Sequence, residues 1–204
     1  MKHVWTLVHA ERRALVDDLA TLDDDQWEMP SLCPGWSVHD VVAHLVNNAK
    51  VTRLGILRDM ARARFDFDRQ NANGVAAEKG STPAETLARL DAVVAATNTP
   101  PAPLDSRLVE EVVHGEDIRR PLGLRHDYAP EAVERALGYQ ARTSVKVGGG
   151  RQRVAGVRLV ATDSDLAIGE GPEVRGPALS LLLVTSGRDI ARADLDGPGM
   201  QRLG

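Results

Sequence analysis

The sequence has few cysteines, few aromatic residues and no large excess of charge of either sign, and each of these features excludes a class of protein. Cys33 is the single cysteine in 204 residues, so neither an internal disulfide nor a cysteine-rich zinc site can form. Aromatic residues make up 3% of the chain, which leaves few side chains for stacking the bases of single-stranded nucleic acid. The net charge of −4 at pH 7 gives no general attraction to nucleic acid or to an anionic membrane.

Long apolar runs are also missing. Charged residues interrupt the N-terminal segment every few positions, so it lacks the apolar core of a signal peptide. No uncharged apolar stretch reaches the roughly 18 residues of a membrane-spanning helix. We therefore expect a cytoplasmic protein with no membrane or nucleic-acid partner. The hydrophobic fraction of 43% and the charged fraction of 26% are typical of a globular chain, which is long enough for one domain and a small appendage.

The first 140 residues show the hydrophobic periodicity of amphipathic helices. Apolar residues at three- and four-residue steps predict helices over residues 3–22, 38–64, 82–96, 105–120 and 130–139. Ser37, Thr82 and Asp105 are suitable N-caps for three of these helices. Residues 65–80 fit either a short helix or a loop. The pattern predicts a helical bundle over residues 1–140.

The character of the sequence changes after residue 140. The run KVGGGRQR predicts a flexible linker over residues 141–152. Residues 153–204 predict a small α+β domain, with short strands in VAGVRLVATD and DLAIGEG. A helix is expected in PALSLLLVTSG, beginning at Pro177, and DIARADLDG fits a returning strand.

A candidate metal site follows from the spacing of acidic and imidazole side chains. Glu110 and His114 are four residues apart on a predicted helix, so both project from one face about one turn apart. Asp117 continues the same polar stripe, and His44 lies beside the apolar stripe of another helix. Two histidines and one carboxylate leave coordination positions open, as in many catalytic zinc sites and some non-haem iron sites.

The same residues also fit roles without a metal. A Glu-x-x-x-His pair is more common on a solvated helix face, and an isolated histidine such as His44 is more often a hydrogen-bonded core residue. Asp117 fits equally well as a solvated acid near Arg119 or Arg120. Cys33 has no activating pattern and is interpreted as a small packed hydrophobe. Spacing does not rank zinc above nickel or iron.

The sequence contains two distinctive stretches, SLCPGWSVHDVVAHLV (31–46) and LVEEVVHGEDIRRPLG (108–123). They resemble two motifs of the mycothiol-dependent maleylpyruvate isomerase family, a branch of the DinB-like metal-binding helical bundles. Residues 153–188 are similar to the small C-terminal domain of that family. The resemblance implies a DinB-like four-helix bundle followed by a small α+β domain. It places His44, Glu110 and His114 at the metal-ligand positions, with zinc favoured and nickel or iron as alternatives.

The resemblance also implies a function. Relatives use mycothiol, a low-molecular-weight thiol, and a dication favours the thiolate form of a thiol, which is the reactive nucleophile. The expected reaction is cis–trans isomerisation or thiol transfer on an electrophilic, anionic small molecule. Arg188 matches an arginine implicated in the family's active site and would hold a substrate carboxylate. Asp117 would orient the imidazole of His114.

Two other functions stay open at this point. One is a non-catalytic metal- or ligand-binding or sensing protein on the same bundle, and the other is a metal-dependent hydrolase. The chain is short for the family, and the proline-rich stretch between Ala96 and Asp105 is compact. The substrate pocket can therefore differ from that of the isomerases. The sequence specifies neither the substrate nor the oligomeric state, and an oligomer is compatible with it.

Overall fold

The computed structural model describes residues 2–204, which form nine α-helices, three short strands and three 3-10 helices. The helices are α1 (Lys2–Leu19), α2 (Asp24–Trp27), α3 (Val38–Lys50), α4 (Arg53–Arg62), α5 (Phe67–Glu78), α6 (Pro83–Ala92), α7 (Asp105–Arg119), α8 (Pro130–Arg142) and α9 (Ala178–Thr185). The strands are β1 (Arg158–Ala161), β2 (Ala167–Gly169) and β3 (Glu173–Gly176). The chain divides into two compact units, one ending at Asp127 and the other beginning at Tyr128.

Four helices form the body of the N-terminal unit. α1 packs against α6 and α7, and α3 packs against the same two helices, which closes a four-helix arrangement. α5 lies against the remaining side of α3. The buried apolar cluster between these helices includes Leu15, Leu19, Trp27, Val38, Val41, Val42, Leu45, Leu90 and Ile118. The predicted helical bundle is confirmed.

Buried ion pairs fix the position of α7 beside α1. The guanidinium of Arg12, 1% exposed, donates through Nε to Glu111 at 2.8 Å. Arg119 is equally buried and donates through Nε to Asp18 at 2.7 Å. A buried guanidinium is costly unless it is paired, so these contacts favour one rotation of α7 about its axis. That rotation determines where the polar side chains of α7 point.

The long helix predicted over residues 38–64 is wrong, because the structure divides it in two. α3 ends at Lys50, Val51 is extended, and the hydroxyl of Thr52 accepts the Gly55 N–H at 3.0 Å to cap α4. A threonine that caps a new helix competes with continuation of the old one. The ambiguous segment over 65–80 contains α5. Asp105 is the first residue of α7 rather than its N-cap.

The predicted boundary at residue 140 is also displaced. α8 packs against α9 and belongs to the C-terminal unit. The predicted flexible linker over 141–152 is packed chain instead: the Gly150 N–H donates to the Gln140 carbonyl at 2.9 Å. A Cβ at Gly149 would lie 2.1 Å from the Thr143 carbonyl oxygen, and one at Gly150 would lie 2.0 Å from that of Thr185. These glycines are required by close packing, not by flexibility.

The C-terminal unit contains the expected small α+β arrangement. Its sheet has the order β2-β1-β3, with β2 antiparallel and β3 parallel to β1. In this register Leu159 pairs with both Ile168 and Val174. The sequence did not predict β3. The strand expected in DIARADLDG is wrong, because Asp189–Asp194 form a 3-10 helix and only Asp196 bridges to the sheet, at Arg175.

Within residues 2–204, no helix combines the length and the apolar character needed to cross a bilayer.

The first prediction concerns the cap of α3, the helix that carries His44. The Ser37 hydroxyl accepts the Asp40 N–H, and Asp40 in turn accepts the Ser37 N–H at 2.9 Å. Ser37→Ala should lower the free energy of unfolding by about 1 kcal/mol, measured by urea denaturation. Ser37→Thr keeps an acceptor and should retain most of that stability. An equal loss in both variants would show that the cap does not contribute.

Candidate metal centre

The candidate site lies between α3 and α7 in the N-terminal unit. Nε2 of His44, on α3, lies 3.5 Å from Oε2 of Glu110 on α7. Nε2 of His114, one turn further along α7, lies 3.4 Å from the same oxygen. The donor atoms of the three side chains all lie within 4.8 Å of one another. The structure therefore brings together the three residues that the sequence proposed as ligands.

The spacing of these atoms fits a divalent cation better than a set of hydrogen bonds. Oε2 of Glu110 and Nδ1 of His44 are buried and have no hydrogen-bond partner within the described residues. Around a tetrahedral zinc with bonds of about 2.0–2.1 Å, neighbouring ligand atoms lie roughly 3.3 Å apart. The two measured separations are close to that value. The donor set of two imidazoles and one carboxylate is also one that zinc accepts.

Burial and pairing give the three groups different protonation states without a cation. Burial lowers the pKa of His44, which favours the neutral imidazole. Burial alone would raise the pKa of Glu110, but its contacts with His114 and His44 outweigh it and hold that pKa well below its usual range. Burial likewise opposes a charged His114, yet contacts with Asp117, Cys33 and Glu110 raise its pKa well above the usual value. Both directions favour a protonated His114 beside an ionised Glu110.

A second layer of contacts orients His114. Oδ2 of Asp117 lies 2.9 Å from Nδ1 of His114, and the Asp117 side chain is fully buried. The thiol of Cys33 donates to the same oxygen at 3.1 Å. The Asp117 carbonyl accepts the Leu32 N–H at 3.1 Å. Asp117 is thus a buried acid against the imidazole, as the orienting role requires, and not a solvated acid.

Three contributors to the site were not identified from the sequence. Cys33 was interpreted as a packed hydrophobe, yet its thiol contacts Asp117. The Trp36 ring packs on the ring of His44, with centroids 5.2 Å apart. Arg107 is buried and donates to Oδ1 of Asn48 at 2.7 Å, while its Nη2 lies 3.9 Å from Oε1 of Glu110. The spacing of Arg107 and Glu110 on one helix face is the only signal that could have indicated its place.

Arg188 lies in the C-terminal unit, after α9. It is half-buried, and its Nη1 donates to the carbonyl of Ser186 at 2.7 Å. Its role in binding an anionic group stays a prediction.

Part of the N-terminal unit matches a known protein family. Residues 8–105 match the family described as mycothiol maleylpyruvate isomerase N-terminal domain. The N-terminal helices are thus similar to those of this family over just under half of the chain. The matched range contains His44 and Cys33 but ends at the first residue of α7, so the family match does not extend to Glu110 or His114.

Solved structures show the same fold over a larger range. Two similar structures are described as the mycothiol-dependent maleylpyruvate isomerase and a histidine-to-alanine mutant of it. Each has a TM-score of 0.65 and 16% sequence identity, and the match covers 97% of this chain and 92% of the other. At this identity the likeness shows a shared fold. No curated protein sequence matches the chain.

The second prediction tests the orienting role of Asp117. Asp117→Asn removes the carboxylate that holds His114 and should weaken zinc binding by roughly 10–100-fold, measured by competition with a chromophoric chelator. Asp105→Asn, at the half-buried first residue of the same helix and 12 positions from Asp117, is the matched control and should leave the affinity unchanged. Equal affinity in wild type and Asp117→Asn would rule out this role.

The third prediction concerns pH. Because the pKa of His114 is raised, a cation must displace its proton at any pH below that pKa. Apparent zinc affinity should therefore fall about tenfold for each pH unit of acidification in that range, and His114 should add no pH dependence above it. Chelator competition across the acid and neutral range, with calorimetry in buffers of different ionisation enthalpy, measures both affinity and proton release. Binding that releases no proton below the raised pKa would contradict this assignment.

Proposed function

We propose that this chain is a metal-dependent enzyme that uses a low-molecular-weight thiol of the mycothiol type. Its reaction is cis–trans isomerisation, or transfer of the thiol, on an electrophilic and anionic small molecule resembling maleylpyruvate. The convergence of His44, Glu110 and His114 on one point carries the proposal. The family of the N-terminal helices and the names of the similar structures support mycothiol as the thiol.

The number of protein ligands supports a catalytic site over a structural one. Structural zinc sites are filled by four protein ligands, whereas catalytic sites use three and keep a position for water or substrate. Here three side chains converge, and those of Glu110 and His114 remain 25% and 16% exposed. A small molecule can therefore reach the site. Zinc is the ion we favour, and nickel or iron would accept the same donors.

The residues of this chain prepare the site in complementary ways. A divalent cation held by His44, Glu110 and His114 would supply the charge that favours a thiolate over a thiol. Asp117 keeps the proton of the neutral His114 ring on Nδ1, so that the Nε2 lone pair faces the site. Arg107 keeps positive charge beside Glu110. Arg188 binds a carboxylate group of the substrate through its guanidinium.

The isomerisation balances without consuming the thiol. A thiolate adds to one carbon of an activated double bond, and the electron pair moves onto the conjugated carbonyl group. Rotation about the resulting single bond follows. Return of the electron pair expels the thiolate and restores the double bond with the opposite geometry. In a transfer reaction the carbon–sulfur bond persists instead, and one thiol is consumed for each turnover.

The compartment and the partners of the protein follow from the thiol that it uses. Low-molecular-weight thiols are kept reduced in the cytoplasm, which is where we place the protein. Its partners are the thiol and a small-molecule substrate, with no nucleic acid or membrane.

The fourth prediction is thiol-dependent turnover. Zinc-loaded protein with mycothiol should isomerise maleylpyruvate, or consume thiol with an electrophile such as chlorobimane. His114→Ala removes one ligand and should abolish turnover, while His3→Ala, an exposed histidine on α1, should retain it. Arg188→Ala should raise KM for the anionic substrate and leave KM for the uncharged chlorobimane unchanged. Absorbance of the conjugated product and titration of free thiol follow the two reactions separately.

The alternative functions give different results in the same assay. Tight zinc or ligand binding without turnover across a broad panel of electrophiles would favour a binding or sensing protein. Turnover that needs no thiol would favour a hydrolase. Stoichiometric, tight zinc in His44→Ala would contradict the ligand assignment itself.

A further inference from the structure

A second cavity lies in the N-terminal unit beside the C-terminal end of α3. It has a volume of about 830 Å³, is lined mainly by residues of α3, α4 and α5, and is partly open to solvent. That volume falls within the roughly 300–1,000 Å³ of small-molecule binding sites. Neither His44 nor Glu110 lines it, so it is distinct from the candidate metal centre.

Three amide side chains line this cavity: Asn47 from α3, and Gln70 and Asn73 from α5. None of these side chains forms a hydrogen bond with another residue of the described chain. Gln70 is only 5% exposed as a residue, so most of its side chain is buried and its amide group reaches the cavity. An amide offers both donors and an acceptor. The cavity thus presents unused donors and acceptors to a molecule that enters it.

The backbone of α5 leaves room for one of these amides. A Cβ built on Gly74 would lie 2.4 Å from Nδ2 of Asn47. Because residue 74 is glycine, the Asn47 amide can occupy that space against α5.

The charged groups at the cavity are already paired. Nζ of Lys50 lies 2.7 Å from Oε2 of Glu78. Arg58 and Arg62 lie 3.1 Å and 3.6 Å from the same oxygen of Asp59. These three cations therefore share two carboxylates, so most of the positive charge at the cavity is already compensated. A neutral ligand with several hydroxyl groups matches unpaired amides, because each hydroxyl can both donate and accept.

We propose that this cavity binds the polyhydroxylated part of the thiol cosubstrate. This inference rests on the proposed function, in which the thiol is mycothiol, whose cysteinyl thiol is attached to a glucosamine–inositol pair. Asn47 lies three residues after His44 on α3, so it is one turn along the helix and about 60° around it. His44 and Asn47 are thus neighbours along a single helix, and in this inference the sugar part binds at Asn47 while the thiol end extends to the candidate metal centre.

The fifth prediction uses the most buried amide. Gln70→Leu removes the donors and the acceptor at similar volume, and Asn71→Leu on the same helix, outside the cavity lining, is the matched control. Calorimetric titration with thiol-free glucosaminyl-inositol should give measurable binding to wild type and Asn71→Leu, weakened about three- to tenfold in Gln70→Leu. KM for mycothiol should rise by a similar factor, with the rate for N-acetylcysteine, which lacks the sugar, unchanged. Thermal unfolding should show no loss of stability in Gln70→Leu, because no hydrogen bond is removed.

The two readouts separate this inference from the proposed function. No binding of glucosaminyl-inositol by wild type, or equal binding by Gln70→Leu, would overturn the cavity assignment even if thiol-dependent turnover is observed. Equal KM for mycothiol in wild type and Gln70→Leu would overturn it as well. Absence of turnover with every thiol, together with Gln70-dependent binding of glucosaminyl-inositol, would reject the proposed reaction while the cavity remains a site for polyhydroxylated molecules.

Discussion

The contact between Oδ2 of Asp117 and Nδ1 of His114 determines which nitrogen of the imidazole faces the centre of the site. Asp117 can do this only because it is fully buried and held at both ends, by the Cys33 thiol at its carboxylate and by the Leu32 N–H at its carbonyl. Both partners come from the loop before α3. That loop also brings the Trp36 ring onto His44. One short segment therefore positions a histidine on α3 and a histidine on α7 at the same time.

The position of α7 itself depends on ion pairs that face α1 rather than the candidate ligands. Arg12 and Arg119 form ion pairs that connect α1 and α7, and each guanidinium would be strongly destabilising without its partner. α7 thus carries polar groups around much of its circumference. Those on the α1 side fix its rotation, while Glu110 and His114 face α3. The packing of the bundle therefore holds Glu110 and His114 in position, and the candidate site depends on that packing.

Much of the candidate site was predictable from the sequence, for reasons that differ between residues. The four-residue spacing of Glu110 and His114 follows from helix geometry alone. The placement of His44 opposite them required the resemblance of two motifs, because periodicity does not show which helices are neighbours. The roles of Arg107 and Cys33 in the site were not predicted, because they depend on contacts between distant parts of the chain. The end of α3 and the start of α4 at Thr52 were not predicted, because the apolar pattern continues through a residue that caps a new helix. The segment with Gly149 and Gly150 was predicted to be a flexible linker, because both tight packing and flexibility favour glycine.

The close fit of those two glycines has a practical consequence for dissecting the protein. α8 packs on α9, and the segment after it is hydrogen-bonded back to the end of α8. A fragment that stops at residue 140 would retain most of α8 and leave apolar side chains such as Val133 and Leu137, both buried in the intact chain, exposed to water. Such a fragment should be prone to aggregation, whereas one that stops near Asp127 leaves α8 out and does not expose these side chains.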